Sequence, residues 1–356
     1  MVALAIVVGA ARAGGDSNPS RAPQRLSETG LYAELSSGRI APGVLPFEPQ
    51  YPLWTDGAAK SRWIELPAGT AIDASNVNQW VFPVGTKLWK EFAFDGRRIE
   101  TRLLWRASSE EWVFATYVWD EAQSEAYLAP AEGIRNHYQI RGNDPYSIPS
   151  EPDCRACHES GGTPVLGFNA LQLSDDRDPL APHAKPLDGS SMTLTRLDRL
   201  GLLAPRPQDL IDNAPRIYAR SPRERAVLGY LSANCGSCHN EQGPLASLGL
   251  YLQHVPTSLG WERAPGYSTA VNVAGDYVTP GLSPVESRRV APGIPEASAI
   301  VYRMSSRRPA SQMPPLGTAV VDEEALDLIR FWIAEDLKMG NNPQLNADNV
   351  PRRARD

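Results

Sequence analysis

The sequence predicts an α+β multidomain protein: an antiparallel, sandwich-like β domain in its N-terminal part, then a mainly α-helical region. Three observations carry this. Runs of β-branched and aromatic residues crowd residues 46–145. Capped or amphipathic helical patterns appear only beyond them. The 32 prolines and 28 glycines favour ordered loops over compact helical repeats.

Residues 1–13 read as a signal peptide without its basic leading segment. An apolar stretch, Val2 to Ala10, precedes the Ala-x-Ala cleavage pattern Ala11-Arg12-Ala13. The stretch is too short to span a bilayer, and no other segment is apolar enough to do so. Residues 14–45 are an extended lead-in with a short helical candidate near Leu31–Leu35. In the β domain, residues 86–94 and 97–105 are strand-like runs separated by Asp95-Gly96, a two-residue hairpin signal. Residues 111–119 continue as a third strand, and 62–66 and 79–82 are further candidates. Seven of the nine tryptophans fall between Trp54 and Trp119. They read better as core and seam than as a glycan-stacking surface, because aromatics are common in strands.

Residues 146–215 form the next region, approached through the stiff stretch Pro149-Ser150-Glu151-Pro152-Asp153 and carrying a helical pattern at 194–203. In residues 216–340, Ser221-Pro222 is a helix start, with a capping serine and proline at the first helical position. That helix runs through 223–233 into Cys235. A second, amphipathic helix spans 323–337, with Asp322 at its cap and Ala325, Leu326, Ile329, Phe331 and Trp332 apolar. The two helices are expected to pack together, with Gly229 and Trp332 as contact points. Residues 266–293 read as an inserted loop, and 341–356 as a solvated tail.

These two regions contain the strongest chemical signal. Cys154-Arg155-Ala156-Cys157-His158 and Cys235-Gly236-Ser237-Cys238-His239 consume all four cysteines. Cys-x-x-Cys-His is the attachment pattern of c-type haem: two thiols take the porphyrin vinyl groups and the histidine ligates iron. A thioredoxin-type pair needs no adjacent histidine. A four-cysteine zinc site usually spaces its pairs by about 15–20 residues, whereas Cys157 and Cys238 are 81 positions apart. Two covalently bound haem c groups are therefore predicted, held by Cys154, Cys157, Cys235 and Cys238, with His158 and His239 as proximal ligands.

Met313, in Gln312-Met313-Pro314-Pro315 before the last helix, is the predicted sixth ligand of the second iron. Prolines stiffen the loop that would hold the thioether, and His/Met ligation raises the potential. Met304 reads as core filling. For the first iron Met192 is placed first, with His183, His137 or no protein ligand as the alternatives. His254 reads as a surface or core histidine.

Net charge is −6 and there is no basic run, so nucleic-acid binding is not expected. With the stretches 51–60, 82–86, 100–104, 148–150 and 313–318, the two haem motifs resemble a family of uncharacterised bacterial dihaem c-type cytochromes. The resemblance covers the β domain and both haem regions. It implies a class I cytochrome c-like domain over 216–340 and a first haem c region over 146–215. It further implies an exported or periplasmic electron carrier whose partner the family does not fix; a periplasmic redox protein or dehydrogenase is the partner expected of such a carrier. A dihaem peroxidase or oxidase with an open first iron is the enzymatic alternative. No catalytic residue is implied.

Overall fold

The computed structural model describes residues 21–77, 79–140, 144–254 and 264–339. The predicted signal peptide and the tail from 341 lie outside these residues.

The architecture is mixed α+β. A hairpin of β1 (Tyr32–Glu34) and β2 (Arg39–Ile40) precedes a six-stranded antiparallel sheet. In spatial order that sheet comprises β3 (Leu45–Pro46), β4 (Ala59–Glu65), β6 (Lys87–Phe94), β7 (Arg97–Arg106), β8 (Trp112–Trp119) and β9 (Ala126–Leu128). The short β5 (Ile72–Asp73) leaves it to pair in parallel with β12 (Leu203–Ala204). A second hairpin, β10 (Ile134–Ile140) with β11 (Asp144–Ile148), leads into the first Cys-x-x-Cys-His motif. The hairpin at 95–96 forms as expected: Asp95 has φ 49° and Gly96 φ 78°, both left-handed. The helical candidate at 31–35 instead contains strand β1, because Tyr32 pairs across the turn with Ile40. The run 79–82 forms only an isolated bridge, Asp73 to Val81.

Alternation along the strands gives the sheet two faces. One carries Trp63, Trp89, Trp105, Tyr117 and Trp119, packed on Leu26, Leu31 and Val44 of the lead-in. Trp89 and Trp119 donate their indole N–H to Thr29 Oγ1 and Thr101 Oγ1, each at 3.1 Å. These rings are core, as aromatics with satisfied polar tips should be. The opposite face meets the region that carries the first Cys-x-x-Cys-His motif. There Ile64, Leu88 and Leu104 share a core with Val165, Phe168, Met192, Leu194 and Leu203. Residues 146–215 are thus continuous in packing with the sheet.

Helices beyond residue 150 are short and separated by long loops. They are α1 (Glu151–His158), α2 (Leu194–Arg199), α3 (Gln208–Asp212), α4 (Pro222–Asn234), α5 (Pro265–Ser268), α6 (Ala299–Ser305), α7 (Glu323–Phe331) and α8 (Leu337–Met339). The expected mainly α-helical region is therefore mixed, since its prolines and glycines interrupt regular backbone. Ser221 caps α4 by accepting from the Glu224 amide, and Asp322 caps α7 by accepting from the Ala325 amide. A wider helical turn at Trp332–Asp336 joins α7 to α8. Phe331, expected on the inner face, is 60% exposed. Helices α4 and α7 do pack together, through Val227, Tyr230, Leu231, Ala325, Leu326 and Ile329. Trp332 contributes by donating to Glu224 at 3.1 Å. Gly229 serves another contact: a Cβ there would lie 2.0 Å from the Tyr51 ring. Among the described residues no helix is long and apolar enough to cross a membrane.

Candidate functional site: two converging Cys-x-x-Cys-His motifs

The first motif is the helix α1 itself. Ser150 and Asp153 form a capping box at its start, and Pro152 occupies the first turn, where its missing N–H costs nothing. One helix therefore carries Cys154, Cys157 and His158. It lies on the sheet through Phe114, whose ring centroid is 5.5 Å from that of His158 and which also receives Arg155 at 5.1 Å.

His158 Nδ1 lies 2.6 Å from the Pro164 carbonyl. A carbonyl only accepts, so Nδ1 carries the proton and Nε2 keeps its lone pair. Burial pushes the imidazole down to about 4, so it is neutral at physiological pH. A fixed tautomer with a free Nε2 and a carbonyl partner behind it is the arrangement that metal-ligating histidines use.

The second motif begins at the C-terminal end of α4, where Cys235 is the cap residue. The His239 amide donates to the Cys235 carbonyl at 2.9 Å, and the His239 carbonyl accepts from the Leu252 amide at 2.8 Å. The His239 ring is buried, which holds its basicity down, and its Nδ1 has no hydrogen-bond partner. Burial pushes the Cys235 thiol up to about 12.

The fold brings the two motifs together. Cys157 and Cys238 lie close enough for their thiols to interact, which raises the first and lowers the second. Asn240 Nδ2 donates to the Ser160 carbonyl at 3.2 Å, tying the segments after both motifs, and Gln79 Nε2 of the β domain donates to Gln242 Oε1 at 3.0 Å. All four cysteines are free thiols. Among the described residues no three His, Cys, Asp or Glu side chains converge as a metal-binding group. Haem c needs a thiol pair with an adjacent imidazole, and each motif presents two free thiols beside a histidine, half-buried at His158 and buried at His239.

The sheet supplies an electrostatic component that sequence inspection missed. Arg62, Lys90 and Arg102 are directly opposite one another across β4, β6 and β7. Like charges in that register repel. Partial compensation comes from Phe92, whose ring lies 4.8 Å from Lys90 Nζ and 4.4 Å from the Arg102 guanidinium. It also comes from Glu100, fully buried, whose Oε1 accepts from Arg102 Nε at 3.1 Å and from the Tyr146 hydroxyl. Glu100 Oε2 is left without a partner. Lys90 and Arg102 face His158, and Arg102 also faces Cys154. Burial and its cationic neighbours drive Lys90 well below the ordinary ammonium range. Arg102, held charged by Glu100, thus keeps a positive charge beside the first motif.

The predicted sixth ligands are placed as follows. Met313 lies in a half-buried loop, its amide donating to the Arg303 carbonyl of α6 at 3.0 Å, and the Met313–Pro314 peptide is cis. Met304 is buried in the core, as read. Met192 is completely buried among apolar side chains and bridges Phe47 through its backbone. His183 stacks on Trp54 at 4.8 Å and places Nε2 2.9 Å from Asp322 Oδ1 and Nδ1 3.3 Å from Glu324. His137 is exposed on β10. His254 is a largely buried histidine held down to about 4 by burial, with Nδ1 unpartnered. No family model matches this chain, and no curated protein or solved structure is similar to it.

Proposed function

We propose that the chain is an exported dihaem c-type cytochrome, of the family its motifs resemble, that carries electrons between periplasmic redox partners. Cys154 and Cys157 would hold one haem and Cys235 and Cys238 the other. His158 and His239 would be proximal ligands, and Met313 the sixth ligand of the second iron. The supporting observation is the meeting of the motifs at Cys157 and Cys238, 81 positions apart in sequence. Groups attached there would be neighbours, as a two-centre electron relay requires.

Bound haem would supply one-electron chemistry. The chain's own residues would do the rest. Pro164 holds the His158 tautomer, and the buried His158 and His239 stay neutral and able to ligate. Arg102 would favour the state of lower positive charge beside the first motif.

A second reading is a peroxidase- or oxidase-like enzyme with an open first iron. It is favoured by the positions of the three candidate ligands: Met192 packed in the core, His183 committed to Asp322 and His137 on the surface. Carbon monoxide added to the ferrous protein, with low-temperature EPR of the ferric form, separates the two. An electron carrier binds no carbon monoxide and shows two low-spin signals. Ready binding with a high-spin signal would replace it with the enzyme reading.

A further inference from the structure

A half-open cleft of about 160 Å³, lined by no residue of either motif, lies between β4 and the loop carrying His183 and Lys185. Its walls include Pro52, Trp54 and Ala58, and its charged groups are Lys60, Arg62, Lys185, His183 and Glu48. Glu48 is the only carboxylate in the lining, and it is already engaged: Arg62 Nη1 is 2.8 Å from Oε2 and Lys185 Nζ 3.4 Å from Oε1. Asp322, near the cleft, is taken up by His183 and by the Tyr230 hydroxyl at 2.9 Å. Lys60 Nζ donates instead to the Leu53 carbonyl at 2.6 Å. Behind Arg62 stands its cross-strand neighbour Lys90.

Lys60 and Arg62 are each only 7% exposed. Charge removed from water without a counter-charge is costly, so positive potential at this cleft exceeds what its own carboxylates neutralise. We propose that the cleft binds a small organic carboxylate. The volume equals that of about five liquid waters, well under the roughly 300–1,000 Å³ of drug-sized pockets. That limits the ligand to a short carbon skeleton. The apolar wall at Pro52, Trp54 and Ala58 suits that skeleton, and Lys60 and Lys185 suit its head.

The cleft sits on a seam. The Trp54 amide donates to Asn234 Oδ1 at 2.7 Å, next to Cys235, and its indole donates to the Val320 carbonyl at 3.0 Å. The bound acid would therefore lie where the β domain meets the second motif's helix. The proposal does not depend on haem.

The test is calorimetric titration of the full chain with acetate, malonate and inorganic phosphate, repeated on Lys185→Ala and Lys60→Met. Lys185 is nearly half exposed and Lys60→Met relieves a buried charge, so both variants should fold. Saturable binding of a carboxylate, weakened at least tenfold in each variant and tighter than phosphate, is the expected result. No saturable binding, equal affinity in the variants, or phosphate binding as tightly as the carboxylates would overturn the proposal.

Discussion

The ring of Tyr51 occupies the space a side chain on Gly229 would need: a Cβ on residue 229 would lie 2.0 Å from Tyr51 Cε1 and 2.3 Å from Cζ. Tyr51 cannot simply swing away, because its hydroxyl donates to Asp178 at 3.0 Å and its amide to Gln172 Oε1 at 2.9 Å. The glycine in the middle of α4 thus joins the β domain to the second motif's helix. Gly229→Ala should destabilise the protein by about 1–3 kcal/mol through overpacking. Tyr51→Ala should itself be destabilising, but adding Gly229→Ala to it should cost little more. Denaturant unfolding of the two single variants and the double variant measures this coupling; additive losses would show that the contact is not the cause.

Arg102→Met tests the buried pair beside the first motif. Glu100 would be left as a buried, unpaired carboxylate, at a cost of about 3–5 kcal/mol. Adding Glu100→Gln should recover a good part of that loss. If haem is attached nearby, removing the cation should also lower the first midpoint potential, which spectroelectrochemistry reads independently of stability.

Lys60 gives the fold a pH signature. Burial first, then the nearby cations Arg62 and Lys185, push its ammonium down to about 7, against the opposing pull of Asp322 and Glu48. In the unfolded chain it titrates near its ordinary 10.5. Between these values the unfolded chain binds more protons, so this group makes stability rise with pH from about 7 to about 10.5. Below 7 both states are protonated and its contribution is flat. The native protein minus Lys60→Met, compared by urea unfolding from pH 6 to pH 9, should show stability rising above pH 7. A flat difference would mean Lys60 stays charged.

If Met313 ligates a second haem iron, as proposed, Met313→Leu should open that iron alone. Ferrous protein carrying this change should bind one equivalent of carbon monoxide more than the native chain, with little loss of fold, since Met313 is only half-buried. Unchanged binding would remove Met313 from the ligand set.

What could be read from the sequence was local. The Asp95-Gly96 turn, the Ser221 and Asp322 caps and both cysteine motifs are each set by a few adjacent residues with a distinct chemical requirement. What could not be read depended on register or long-range packing. Arg62, Lys90 and Arg102 look like ordinary polar positions of half-buried strands until the pairing sets them opposite each other. Gly229 reads in sequence as a helix-pair contact, because helix pairs often use glycine, and nothing local points to Tyr51. The candidate helix at 31–35 is part of a hairpin because Tyr32 finds a partner at Ile40. The meeting of Cys157 with Cys238 follows from tertiary structure alone.

The central claim is that both motifs hold haem. The direct measurement is the intact mass of the protein denatured in acid, for the native chain, Cys154→Ala/Cys157→Ala and Cys235→Ala/Cys238→Ala, expressed in a host that attaches haem c. Two haem masses on the native chain and one on each double variant are expected. A native chain carrying no covalent haem would contradict the claim.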